Sequence, residues 1–231
     1  MIMVRPLAGR VRRGSCIVVA TMAIAVATSG TASDAPPASD YEKVIAGRAE
    51  KILATLDPVT DGSRDRVRES LLAFSRATNA WHEAHGPRRK ELKSAQDEAS
   101  KAELAAAEAE LATIRGEFLA RLAADLSPEQ VEKVKDGLTY NVLHVTERAY
   151  YEMIETLTDE QKAKIHDWLV EARDLAISEG SSEAKHAVFG KYKGRINNYL
   201  SQQGYDLKQE ERGWQARRKA AASTSTTPES T

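Results

Sequence analysis

From Tyr41 onward the apolar residues recur three and four positions apart with charged residues between them, the period of helices that bury one face. Val44, Ile45, Ile52, Leu53 and Leu56 predict a first helix that Pro58 ends. Val67, Leu71, Phe74, Thr78 and Trp81 predict a second, from Ser63 to His85, broken at Gly86-Pro87. Arg88 to Asp125 is rich in Ala, Glu, Leu and Lys. There Leu104, Leu111 and Phe118 recur every seven residues, with Glu103, Glu110 and Glu117 one place behind. That pattern predicts a long hairpin-like or coiled-coil-like helical arm with an acidic edge.

The next part of the chain contains an echo. LSPEQVEKV (Leu126 to Val134) is matched by LTDEQKAKI (Leu157 to Ile165) at an offset of 31 residues. Each is a helix start: Ser127 and Thr158 cap free N–H groups, and Gln130 and Gln161 three residues on complete capping boxes. Between them, Thr139 to Thr146 is β-branched and alternating, which predicts one short irregular or extended segment, with helix resuming at Glu147. Tyr140, Asn141 and His144 fall in that segment and are placed to line a cleft. Ile165, Trp168, Leu169, Ala172 and Leu175 predict a helix from Asp159 to about Ser178, and Leu207 to about Arg217 a last amphipathic piece that includes Trp214.

The densest stretch is KHAVFGKYKGRINNYLSQQGYD, Lys185 to Asp206. On a helix, Val188, Phe189, Tyr192, Ile196, Tyr199 and Leu200 make one buried arc, and Lys191, Arg195, Asn198 and Gln202 an opposite polar stripe. Between them run His186, Gly190, Gly194, Asn197 and Ser201, with Lys193 at the edge. Each glycine costs ~1 kcal/mol of helix stability relative to alanine, so the stripe is expected to receive either a neighbouring helix or a ligand. From Ala184 to Tyr205 there are four basic residues and no acid, which calls for a negative partner: nearby carboxylates, such as the acidic edge of the arm, or an external anion. Gly204 is positioned to stop the helix, with Tyr205 folding back on Leu200.

Composition adds an address. MIMVRPLAGRVRRGS, the apolar run Cys16 to Ala27 and the small residues that follow form a secretory signal over 1–32, cut after Ala32, with an apolar run too short to span a bilayer. Its removal takes away four arginines and no acid, moving the formal charge from −1 to −5. The only cysteine leaves with it, so an apolar core, without disulfides, must hold the mature protein. A linker over 33–40, a single helical domain over 41–217 and a disordered tail over 218–231 complete the predicted organisation. An exported acidic chain is a poor fit to nucleic acid. His82 and His85 lack the spacing and companions of a metal site, and there is no phosphate loop or nucleophile elbow. Neither metal nor cofactor is expected.

Leu126 to Asp206 resembles a bacterial exported family of uncharacterised function that has been described as sugar-binding. The resemblance rests on LSPEQVEKVKDGLTYNVLHVTERAYYEMIETLTDEQKAKI and above all on GSSEAKHAVFGKYKGRINNYLSQQGYD. The LSPEQ and LTDEQ segments are also similar to the Leu-Thr-x-x-Gln repeats of small helical periplasmic chaperones and stress adaptors. A sugar site needs aromatic faces and planar or forked donors. The expectation is therefore an all-α helical bundle, exported to the periplasm or beyond, acting as a non-catalytic carbohydrate-binding or polysaccharide-processing accessory protein for a neutral or anionic glycan. Its expected ligand residues are Tyr140, Asn141, His186, Gly190, Lys191, Lys193, Gly194, Arg195, Asn197 and Tyr205. The alternatives are a chaperone, which needs a broad exposed apolar patch, and a glycan-active enzyme using His186 or His144 as acid or base, for which no second catalytic partner is legible.

Overall fold

The helical periods become eight helices and no strand among the residues that the computed structural model describes, 38–56 and 58–224. They are α1 (Ala38–Leu53), α2 (Asp61–Ser94), α3 (Glu98–Ala123), α4 (Pro128–Leu138), α5 (Val142–Met153), α6 (Asp159–Ala176), α7 (Ser182–Gln202) and α8 (Leu207–Thr224). The expected signal over 1–32 and the tail from 225 lie outside these residues. Helix α1 starts inside the expected linker, and α8 continues seven residues past Arg217, where the domain was expected to end. No helix among the described residues is long and apolar enough to cross a membrane.

Two apolar cores organise the bundle. Leu53, Leu56, Val67, Phe74, Phe118 and Leu122 gather under α1 to α4. Leu143, Ile165, Leu169, Phe189, Ile196 and Leu200 gather between α5, α6 and α7. Burying a side chain of this size contributes ~1.5–3 kcal/mol. The cores meet where α6 crosses α4: Arg173, almost fully buried, pairs with Glu132 and Asp136, and Lys135 reaches Asp174 at 3.1 Å. Both predicted capping boxes form, at Ser127–Gln130 and Thr158–Gln161.

Two expectations are corrected. Pro87 does not break α2, which runs through it to Ser94. A proline inside a helix costs ~3 kcal/mol or more, and the turns beyond it are held by tertiary contacts: Arg88 forks onto Glu103 at 2.7 Å twice, Arg89 holds Glu108 and Glu179, and Leu92 is buried. The hairpin thus forms between α2 and α3, with Arg88–Glu103, Trp81–Glu110, stacked Phe74–Phe118 and Arg66–Asp125 running antiparallel. Of its acidic edge, Glu103 and Glu110 face α2 and Glu117 pairs with Arg121 on α3 itself, rather than with the basic residues of α7.

The second correction concerns Thr139 to Thr146, which is not extended. Thr139 caps α4, Tyr140 and Asn141 turn the chain, and α5 begins at Val142. The β-branched residues are carried in a helix because Leu143, Thr146 and Tyr150 recur at helical spacing and are buried.

Candidate functional site

Helices α4 and α7 end in the same backbone motif. At α7 the N–H of Tyr205 donates to Leu200 and that of Gly204 to Ser201, both at 3.1 Å, and Gly204 takes φ +95°. At α4 the N–H of Asn141 donates to Asp136 at 2.8 Å and that of Tyr140 to Gly137 at 3.5 Å. The left-handed position that glycine normally fills is held there by Tyr140, at φ +57°. A left-handed conformation costs a non-glycine residue roughly 1–2 kcal/mol. Tyr140 gains little from burial in return, because it is 42% exposed. Gly137 sets this turn against α1: a Cβ there would lie 2.7 Å from the Ile52 side chain.

Tyr140 stands where two concavities share a wall. One, of about 160 Å³, lies between α1, α2 and the start of α7, with buried Ile45, Phe74, Leu138 and Ile177 beside Thr78, Asn79, Ser181 and Lys185. The other, of about 550 Å³, is a groove along α1 past Lys43, Val44, Gly47 and Lys51. Arg48 and Tyr140 line both. Among the described residues the Arg48 side chain makes no hydrogen bond or ion pair. The Tyr140 ring stacks on His186, with centroids 6.0 Å apart, and His186 Nδ1 donates to the Ser182 carbonyl at 2.7 Å.

The electrostatics of the smaller cavity favour an anion. Lys185 is 6% exposed and donates to the carbonyls of Ala176 and Ile177 at 3.0 and 2.8 Å, which leaves the third N–H of its ammonium without a partner among the described residues. Burial pushes its pKa down to about 8, and the charge of Arg48 adds to the effect. The positive end of α7, capped by Ser181 onto the Ala184 N–H, opens on the same cavity. The one carboxylate on the wall, Glu179, is already held by Arg89 through bonds of 2.9 and 2.7 Å. Burial pushes its pKa up, but the Arg89 pair keeps it below the usual range. The α6–α7 connection is pressed onto α2: a Cβ on Gly180 would meet the His82 ring at 2.8 Å, and His82 Nε2 donates to the Ser178 carbonyl at 2.8 Å.

Of the residues singled out in the sequence, only Tyr140 and His186 come together here. Among the described residues no helix reaches the glycines of the stripe, for nothing lies within 4 Å of a Cβ built on Gly190 or Gly194. Lys191, Gly194 and Arg195 border a shallow surface with Trp168, Asn198 and Tyr199. Arg195 is compensated by Glu171 at 3.4 Å and lies over the Trp168 ring at 4.6 Å. Asn197 accepts the Tyr150 hydroxyl at 2.7 Å, and the Lys193 carbonyl accepts it at 3.4 Å. Tyr205 donates to the Thr156 carbonyl or Gln161, binding the end of α7 to the second core. Asn141 is the left-handed start of α5. His144 is paired with Asp136 at 2.9 Å.

Two residues of the site escaped sequence reasoning. Lys185 stands four places before Phe189, at a core-facing position where a charge is anomalous, and that spacing was the available signal. Arg48 looks like any solvated residue of an amphipathic helix.

A family model described as "Protein of unknown function (DUF3826)" matches residues 42–220. This agrees with the resemblance to an uncharacterised family and carries neither a sugar-binding description nor a likeness to the chaperones. No curated protein matches the chain.

Proposed function

The chain belongs to the DUF3826 family, whose function is unknown, and on that premise we propose that it is an exported, non-catalytic carbohydrate-binding protein whose ligand is a sugar carrying an acidic group. The observation that carries this reading is Tyr140, held exposed in a strained left-handed seat where two concavities join, with Arg48, which has no ion pair among the described residues, lining both. Strain of this kind persists where the surrounding structure holds a residue for use.

A tyrosine ring covers the apolar face of a sugar, and an arginine fork pairs with a carboxylate or sulfate through two charge-assisted bonds. The remaining N–H of Lys185 and the positive end of α7 favour the same anion. The smaller cavity is well under the ~300 Å³ at which sites for larger ligands begin, so it suits one acidic ring, with the α1 groove taking the next. Export rests on the basic and then apolar run at the start of the sequence. A chaperone is less favoured because, of the large exposed apolar residues among the described ones, only Val44 and Tyr140 share a groove, while Val145 and Leu175 lie on α5 and α6 outside it.

Thermal-shift screening of the purified protein against neutral, uronic and sulfated oligosaccharides tests the reading. Acidic sugars are expected to raise the melting temperature by mass action, neutral ones to do so much less, and Arg48→Gln to abolish the difference. If no acidic sugar shifts the transition, or Arg48→Gln responds like the parent, the reading fails.

A further inference from the structure

On the other side of the α6–α7 connection lies a second cleft, of about 440 Å³, between the end of α2, α3 and α7. Four cations border it, Arg89, Lys93, Arg115 and Lys191, against two carboxylates, Glu108 and Glu179. Both carboxylates are taken by Arg89, Glu108 at 2.8 Å and Glu179 in a fork, in pairs whose arginine side chain is only 11% exposed. The other three cations are left under-compensated. Lys93 reaches Glu108 only at 4.0 Å. The side chain of Arg115 meets a neutral hydroxyl, Ser178 Oγ at 3.2 Å, and no carboxylate within ion-pair distance among the described residues. Lys191 has no ion pair among the described residues. Burial, and then the charges of Arg89 and Lys191, push the Lys93 ammonium downward, as expected of a cation set among cations.

The rest of the lining differs from that of the sugar site. Leu111, Leu175, Val188 and Tyr192 supply an apolar wall, and Leu175 is one of the few large apolar side chains left 41% exposed. An apolar wall beneath a cationic rim is complementary to a molecule with an apolar body and one acidic head, and a wholly hydrophilic anion leaves that wall unsatisfied.

We propose that the cleft between α2, α3 and α7 binds an amphipathic organic anion, with its acidic head between Lys93, Arg115 and Lys191 and its apolar body on Leu111, Leu175, Val188 and Tyr192. This cleft shares only Glu179 with the smaller cavity at Tyr140, and the proposal does not depend on a ligand there.

Decanoate is a suitable probe, titrated calorimetrically into the purified protein with decanol and inorganic sulfate as the two half-ligands. Decanoate is expected to bind, and both half-ligands to bind about tenfold or more weakly. Arg115→Gln or Lys93→Gln should weaken decanoate by about tenfold, the loss of one charge-assisted bond, with the melting temperature held. Leu175→Asn, at an exposed position, should weaken decanoate and leave sulfate unchanged. The inference is overturned if decanoate does not bind, if decanol or sulfate binds as tightly, or if both charge variants retain parental affinity.

Discussion

Tyr140 and Gly204 hold the same place in the same helix-ending motif, and the comparison makes the cost of Tyr140 measurable. Replacing it with glycine removes left-handed strain of roughly 1–2 kcal/mol and adds some freedom to the unfolded chain. Tyr140→Gly is therefore expected to be more stable than the parent by roughly 0.5–1 kcal/mol in denaturant unfolding, an unusual result for loss of a large side chain. Gly190 and Gly194 make the opposite case. Their Cβ positions are open, so Gly190→Ala and Gly194→Ala should each add ~0.5–1 kcal/mol of helix stability. A loss at either position would mean that the stripe receives something in solution after all. The cost of these glycines is legible in the sequence, whereas what faces them is not. Tyr140 falls in a β-branched, alternating run that predicts extended chain, and a helix-ending motif with tyrosine in the glycine seat has no local signature.

At the level of elements, Lys185 ties the first turn of α7 to the last carbonyls of α6. Its pKa is pushed down to about 8 from the ordinary 10.5, first by burial and then by Arg48. Between those values the unfolded chain holds a proton that the folded chain has released, so stability rises with pH across the window. The contribution is fully present above about 10.5 and lost as pH falls through about 8. Its size is up to ~3 kcal/mol. Unfolding of the parent and of Lys185→Met, followed from pH 7 to pH 11, should diverge over that range, with the variant lacking the rise; parallel profiles would show that Lys185 keeps its ordinary pKa.

Helix identity was largely legible because capping boxes, the Gly204 stop and the arc through Phe189, Ile196 and Leu200 are local. The passage of α2 through Pro87 was not, since it depends on Arg88, Arg89 and Leu92 finding partners on α3 and beyond α6. Nor was the extension of α8 to Thr224, in a stretch whose composition carries no apolar period.

Across the whole molecule, the candidate site draws on both halves of the bundle: Arg48 and Tyr140 from the helices over the first core, Lys185 and His186 from the helix that closes the second. That explains why the sequence delivered the fold class more readily than the site. Periodicity reports which face of a helix is buried, whereas Arg48 and Lys185, 137 positions apart in the chain, are brought together only by the way α1 and α7 converge. The basic excess of α7 was visible as charge, but its destinations were not: Lys185 goes inward, Arg195 goes to Glu171 and Trp168, and Lys191 goes to the second cleft.

The most direct test is calorimetric titration of a galacturonic acid trisaccharide into the parent, Arg48→Gln and Tyr140→Gly proteins. Both variants should lose about tenfold or more in affinity, while Tyr140→Gly unfolds at a higher temperature than the parent. Parental affinity in Tyr140→Gly, or a variant that loses stability together with binding, would contradict the assignment of Tyr140 as a strained residue held for a ligand.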